Sequence, residues 1–220
     1  MKNLIILITV ILFSYQITYA QTEKGSHTLG LGVGFSLHNE NDFVIDQASN
    51  TTSLNKSKYT SFSIGPSYSY FIADKLDLGA SLNYSSMNYN NGADYYPNKY
   101  NTKNYSGTIF LRKYFLYQDK LGFRAGPYVS YQYNDQKYTY SPGSGGNNSD
   151  NKSTDYQGGF DLDLVYYPSK HIGIAATIAN LEYDHFKVNQ GSQGHQSGDN
   201  VNFYFVNNLA LSVFYAFGSR

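Results

Sequence analysis

Asn207–Phe217 reads NNLALSVFYAF, and the alternation in it decides the fold. Leu209, Leu211, Val213, Tyr215 and Phe217 fall on one face, while Asn208, Ala210, Ser212, Phe214 and Ala216 fall on the other. A period of two belongs to a β-strand with one apolar side. Working back from this closing strand, seven further stretches alternate in the same way. The first, Ser26–Leu37, sets Leu29, Leu31, Val33, Phe35 and Leu37 against Thr28, Gly30, Gly32, Gly34 and Ser36. Repeated behind an export signal, the pattern predicts an all-β protein: an antiparallel up-and-down transmembrane β-barrel of about eight strands.

The spacing between strands adds a second periodicity. Short turns are expected at Ala73-Asp74-Lys75, Gln118-Asp119-Lys120 and Pro168-Ser169-Lys170. Long polar loops are expected at His38–Ser57, Asn88–Lys103, Asn134–Thr154 and Phe186–Asp199. Turns on one side and loops on the other are the habit of outer-membrane barrels. Pro66 and Pro127 fall mid-strand, each after a glycine, and are read as kinks or bulges because a closed barrel has no free edge. A further bulge is expected where alternation lapses, near Asn180–Tyr183.

Residues 1–20 read as a secretory signal peptide: Met1-Lys2-Asn3 is the basic start, Leu4–Phe13 the short apolar core, and Thr18-Tyr19-Ala20 the cleavage region. Residues 21–220 are then one barrel domain. The formal charge is zero, which removes the electrostatic case for nucleic-acid binding. No cysteine is present, so neither a disulfide framework nor a lipidated amino-terminal cysteine is available. The 24 Tyr and 14 Phe, without Trp, fit interfacial girdles. In the rows, aromatics cluster at strand ends and aliphatics in the middle. That distribution favours a lipid-facing exterior over a soluble barrel with an apolar ligand cavity.

The face opposite the apolar row carries Arg112, Arg124, Asp161 and Asp163. The two arginines lie either side of the turn near Gln118 and are expected to face each other across one hairpin. Buried like charges need counterions, and Asp161 and Asp163 are the expected partners, with Asp77 lower down. The result is a lumen ion-pair cluster that plugs a barrel too narrow for a wide pore.

The segment GPSYSYFIADKLDLGASLNY (Gly65–Tyr84), with FLRKYF and YYPSKHIGI at the other turns, resembles small outer-membrane barrels of the Bacteroidota type, in the OmpA-like and OmpX-like group. The resemblance implies an integral outer-membrane location, outer-membrane lipid and lipopolysaccharide as surroundings, and the barrel assembly machinery as a biogenesis partner that reads the terminal strand. A monomer is expected and, unlike OmpA proper, no appended peptidoglycan-binding domain. No cofactor or metal is expected, since the Asx-rich loops lack calcium-loop spacing.

Three roles follow. The first is a plugged structural or surface-interaction protein whose Tyr-rich loops contact an extracellular protein or glycan. The second is a narrow gated pore for small solutes. The third is a lipid hydrolase, disfavoured because His27, His38, His171, His185 and His195 form no recognisable pairing with a serine and an acid.

Overall fold

The computed structural model describes residues 22–46, 51–91, 99–140, 148–189 and 194–218. The proposed signal peptide lies outside these. Eight antiparallel strands follow one another: β1 (Ser26–Asp46), β2 (Thr51–Ala73), β3 (Leu76–Asn91), β4 (Lys99–Tyr117), β5 (Leu121–Thr139), β6 (Ser149–Tyr166), β7 (Ile172–Asn189) and β8 (His195–Gly218). Each pairs with its neighbours in sequence, and β1 meets β8 to close the barrel.

Burial is inverted relative to a soluble protein. Leu82, Ile109 and Val129 are 67%, 58% and 61% exposed, and the outward row of β1 from Leu29 to Leu37 is exposed throughout. Apolar surface of this extent faces lipid. On the terminal strand Leu211, Val213, Tyr215 and Phe217 all point outward, while the side chain of Leu209 lies outside the described residues. Tyr68, Tyr70, Tyr117, Tyr166 and Tyr215 ring the short-turn end. Tyr84, Tyr105, Tyr131, Tyr156 and Tyr183 form the girdle at the other, with Tyr84 against Tyr105 and Tyr131 against Tyr156 at 5.2 and 5.3 Å between ring centres.

The strands are longer than the hydropathy pattern indicates, at 16 to 24 residues, whereas crossing a bilayer takes about 9–11. Much of each expected long loop is ladder instead: β1 and β2 stay in register out to Asp46 and Thr51, and β4 and β5 pair from Lys99 and Thr139 inward. Beyond the membrane a strand need not alternate apolar with polar, so these hairpins escape a hydropathy reading. At the other end the turns are tight. Gln118 and Asp119 both have positive φ, and Lys120 N–H donates to the Tyr117 carbonyl at 3.1 Å, the geometry of a type I′ turn.

The prolines cause no slip. Pro66 pairs with Leu31 and Pro127 with Phe160 in unbroken register, and on their other sides the register resumes unchanged past the gap. Each simply lacks one donor. The register shifts lie elsewhere, between Phe71 and Ala73, Leu162 and Asp163, and Thr177 and Ala179, so the expected bulge near Asn180–Tyr183 falls earlier in β7. The β1–β8 ladder is the short one. It runs from Ser26–Gly218 only to Leu31–Val213.

Candidate functional site

The lumen is where this chain concentrates buried charge. At the short-turn end an apolar floor packs Phe71, Tyr114, Val165, Tyr167, Ala175 and Phe214 together. Tyr167 meets Phe214 edge-on at 5.5 Å, and Phe71 meets Tyr114 at 5.3 Å.

Above the floor lies a polar belt. Asp77, the second residue of β3, is fully buried. It accepts from Arg112 twice, Nε at 3.2 Å and Nη2 at 2.7 Å, from Ser69 Oγ at 2.6 Å and from the Tyr114 hydroxyl at 3.1 Å. An ionised carboxylate only accepts, so the Ser69 proton is committed to Asp77. Thr28 Oγ1, at 2.6 Å from Ser69 Oγ, is then the donor of that pair. Tyr114 links this half to the next, because its oxygen accepts from Arg124 Nη1 at 3.4 Å. Arg124 Nε donates to Asp163 at 2.6 Å, and Thr177 Oγ1 donates to the other oxygen of Asp163 at 2.7 Å. The Arg112 guanidinium stacks on Phe110 at 3.8 Å and that of Arg124 on Phe214 at 5.3 Å.

The belt therefore runs Thr28, Ser69, Asp77, Arg112 with Tyr114, Arg124, Asp163 and Thr177, one strand after another from β1 to β7, and Phe214 completes it on β8. The links that involve Asp77, Arg112, Arg124 or Asp163 are charge-assisted and about twice as strong as a neutral one such as Thr28–Ser69.

Two sequence expectations need correction. Arg112 and Arg124 do not face each other: Arg124 is opposite Tyr114, and each arginine has its own carboxylate. Asp161 is not an arginine partner. It accepts from Asn180 Nδ2 at 2.7 Å, and Asn180 also donates to the Tyr128 hydroxyl at 3.0 Å. Tyr128 in turn donates to Glu182 at 2.7 Å. The shift between Leu162 and Asp163 sets Asp163 against Thr177 and Asp161 against Asn180, separating the two carboxylates into different layers. Between the belt and this second layer lies a polar cavity of about 470 Å³, lined by Ser67, Ser81, Ser106, Arg112, Tyr128 and Asp161 among others. The bridging role of Tyr114 was not foreseen, although it shares the inward row with Arg112 and follows it at the next inward position.

Outside the membrane-spanning part, two further groupings stand out. Tyr89, Tyr100 and Tyr138 stack across β3, β4 and β5, with ring centres 4.9 and 6.0 Å apart, and burial among them raises the Tyr100 hydroxyl pKa. On the opposite wall Asp199 accepts from Tyr183 at 2.6 Å and lies 2.8 Å from His185 Nδ1. The Tyr183 hydroxyl, and then His185, hold its carboxyl below the usual carboxylate range.

A closed ring of antiparallel strands, apolar outside and charged within, defines an integral outer-membrane barrel. The chain belongs to the family of outer membrane protein beta-barrel domains, whose family model matches residues 19–218. Among solved structures it is similar to the outer membrane protein OprG from Pseudomonas aeruginosa, with 12% identity, TM-score 0.49, and 92% of this chain and 99% of that one covered. It is also similar to Ail, the attachment invasion locus protein of Yersinia pestis, with 12% identity, TM-score 0.40, and 88% and 99% covered. Neisserial surface protein A is comparable, with 15% identity, TM-score 0.40, and 87% and 97% covered. No curated protein sequence matches the chain.

Proposed function

We propose that this protein is a structural and surface-interacting barrel whose lumen is closed by the polar belt, and that it is not an enzyme. The observation that supports the reading is the continuity of the belt. Seven strands contribute hydrogen-bonding side chains to one connected network, and an apolar floor lies beneath it. Side chains nearly fill a barrel of this strand number. The working surface is then the extracellular end, where long hairpins carry the stacked tyrosines beyond the membrane on their lumen-side face. Tyrosine presents a large rigid contact area at low entropic cost, which suits a protein or glycan ligand.

The hydrolase reading has its best material at His185 and Asp199, and there the third partner is the Tyr183 hydroxyl. Among the described residues no serine hydroxyl bonds to His185. The gated-pore reading keeps one observation in its favour. The 470 Å³ cavity lies directly above the belt, so the belt and floor alone separate it from the periplasmic side.

Liposome swelling distinguishes these readings. Vesicles carrying the refolded protein are expected to swell in small sugars and amino acids no faster than empty vesicles. Swelling that scales with protein content and declines with solute size would replace the plugged reading with the pore.

A further inference from the structure

The barrel is closed at its short-turn end and open along one seam above it. Among the described residues the β1–β8 ladder stops at Leu31–Val213, whereas β1 stays paired with β2 to Asp46–Thr51 and β8 with β7 to Asn189–His195. The cause lies in β8. Ala210 is opposite Thr177 and Phe205 opposite Ala179, so residues 206–209 stand against Ile178 alone. An irregularity of that size bends the β8 edge away from β1 just beyond their last pair. From Gly32 to Leu37 the β1 edge then has no β8 partner, yet Val33, Phe35 and Leu37 on the same stretch are exposed on the lipid side. Hydrocarbon does not tolerate an open sheet edge unless that edge is covered or lines a hydrated cavity.

Two cavities meet at this seam. Outside, an apolar groove of about 770 Å³ is lined by Leu31 and Val33 of β1 and by Leu211 and Val213 of β8. Inside, the 470 Å³ cavity above the belt reaches Gly32 and Ser212, the residues between them. Leu211 borders both. The wall is thin here as well. Gly32 stands opposite Gly65, and a β-carbon added at Gly32 would meet only the Gly65 carbonyl oxygen, at 3.7 Å. The chemistry changes across the seam. The inner cavity presents the hydroxyls of Ser67, Ser81 and Ser106, and its charges cancel, Arg112 and Arg124 against Asp161 and Asp163. Both arginines are already bonded to carboxylates. A head entering the cavity therefore finds hydroxyl donors and acceptors rather than a cation to neutralise.

We propose that the β1–β8 seam is a lateral binding site for a single-chain amphiphile drawn from the membrane. Its chain lies in the groove along Leu31, Val33 and Leu211, and its uncharged, hydroxyl-bearing head passes Gly32 into the lumen cavity, against Ser67 and Ser81. The groove follows one seam and so takes one chain. The ligand covers the open β1 edge, which accounts for an edge left unpaired at lipid depth. This goes beyond the plugged-scaffold reading and does not depend on it, since the head reaches the cavity from the side without crossing the belt.

The test uses the refolded full chain in phospholipid nanodiscs, with folding verified by heat-modifiable gel mobility. Two monoacylglycerol probes carry a photoreactive diazirine, one on the glycerol and one in mid-chain, and labelled residues are mapped by mass spectrometry. In wild type the glycerol probe is expected to label the inward residues Gly32, Ser67 and Ser81, and the chain probe Leu31 and Leu211. Gly32→Phe fills the gap from the β1 side and Ser212→Phe from the β8 side. Either is expected to cut lumen labelling about tenfold, a loss of about 1.4 kcal/mol in binding. Gly107→Phe is the control. It lies on the lipid face of β4, where an added β-carbon makes only ordinary contact with Leu82, and it is expected to label as wild type does. Glycerol-probe labelling confined to outward residues, or undiminished lumen labelling in a folded Gly32→Phe or Ser212→Phe variant, would overturn the proposal. Equal lumen labelling by the same diazirine-bearing glycerol without a chain would also overturn it, in favour of entry from the extracellular mouth.

Discussion

Asp163→Ala is expected to lower the unfolding free energy by about 3–5 kcal/mol, because it strands Arg124 in the lumen without its carboxylate. Both side chains are over nine-tenths buried, at 8% and 6% exposed, so solvent screening gives little relief. Arg124 would retain a 3.4 Å contact to Tyr114 and its stacking on Phe214, neither of which neutralises a guanidinium. Urea unfolding in vesicles, followed by circular dichroism, reads the loss directly. A rescue is expected on the same physical ground. Arg124→Met/Asp163→Leu removes both charges and restores most of the stability, since replacing a whole buried pair with apolar groups is often neutral. Equal destabilisation of the single and double variants would mean that packing, not charge, holds the belt.

Gly126→Ala has the second large effect, and it acts on the wall. A β-carbon at Gly126 falls inside the van der Waals radius of the Leu111 carbonyl oxygen, with the Arg112 α-carbon also close. Both are backbone atoms, so no side chain can swing aside. The close approach coincides with the place where Pro127 offers β4 no donor and the ladder skips Leu111 and Arg112. Overpacking of this kind costs about 1–3 kcal/mol or more, and here it falls where Arg112 must be aimed at Asp77. The variant is expected to remain largely in the unfolded gel band after refolding. Gly158→Ala serves as its control, because the added carbon there meets only ordinary contact with the Tyr128 carbonyl.

The membrane-crossing part of each strand was legible because lipid imposes strict alternation, as Leu209–Phe217 and Leu29–Leu37 display. The extracellular hairpins were not. Past Leu37 or Tyr84 no lipid selects for apolar residues, and ladder pairs such as Tyr89 with Tyr100 look in sequence like Asn- and Tyr-rich loop. Pro66 and Pro127 misled for a different reason. Each points outward and loses one bond without moving its neighbours, a distinction that composition does not carry.

The belt was half legible. Inward parity identifies Arg112, Arg124, Asp161, Asp163 and Asp77 as lumen residues. Matching them requires register, and the β3–β4 register that puts Asp77 opposite Arg112 is hidden behind the Asn88–Lys103 stretch, where hydropathy does not mark how far the ladder runs. The β5–β6 register sets Asp163 rather than Asp161 opposite Arg124, and the equally silent irregularity after Leu162 decides that Asp163 meets Thr177 while Asp161 meets Asn180. Tyr114, which joins the two ion pairs, carried no charge to draw notice.

Single-channel recording of the refolded protein in a planar bilayer, wild type beside Asp77→Ala/Asp163→Ala, tests the closed lumen most directly. The wild type is expected to be silent and, in whatever fraction of the double variant folds, discrete steps are expected once both arginines lose their anchors. Steady conductance by the wild type, unchanged in the variant, would contradict it.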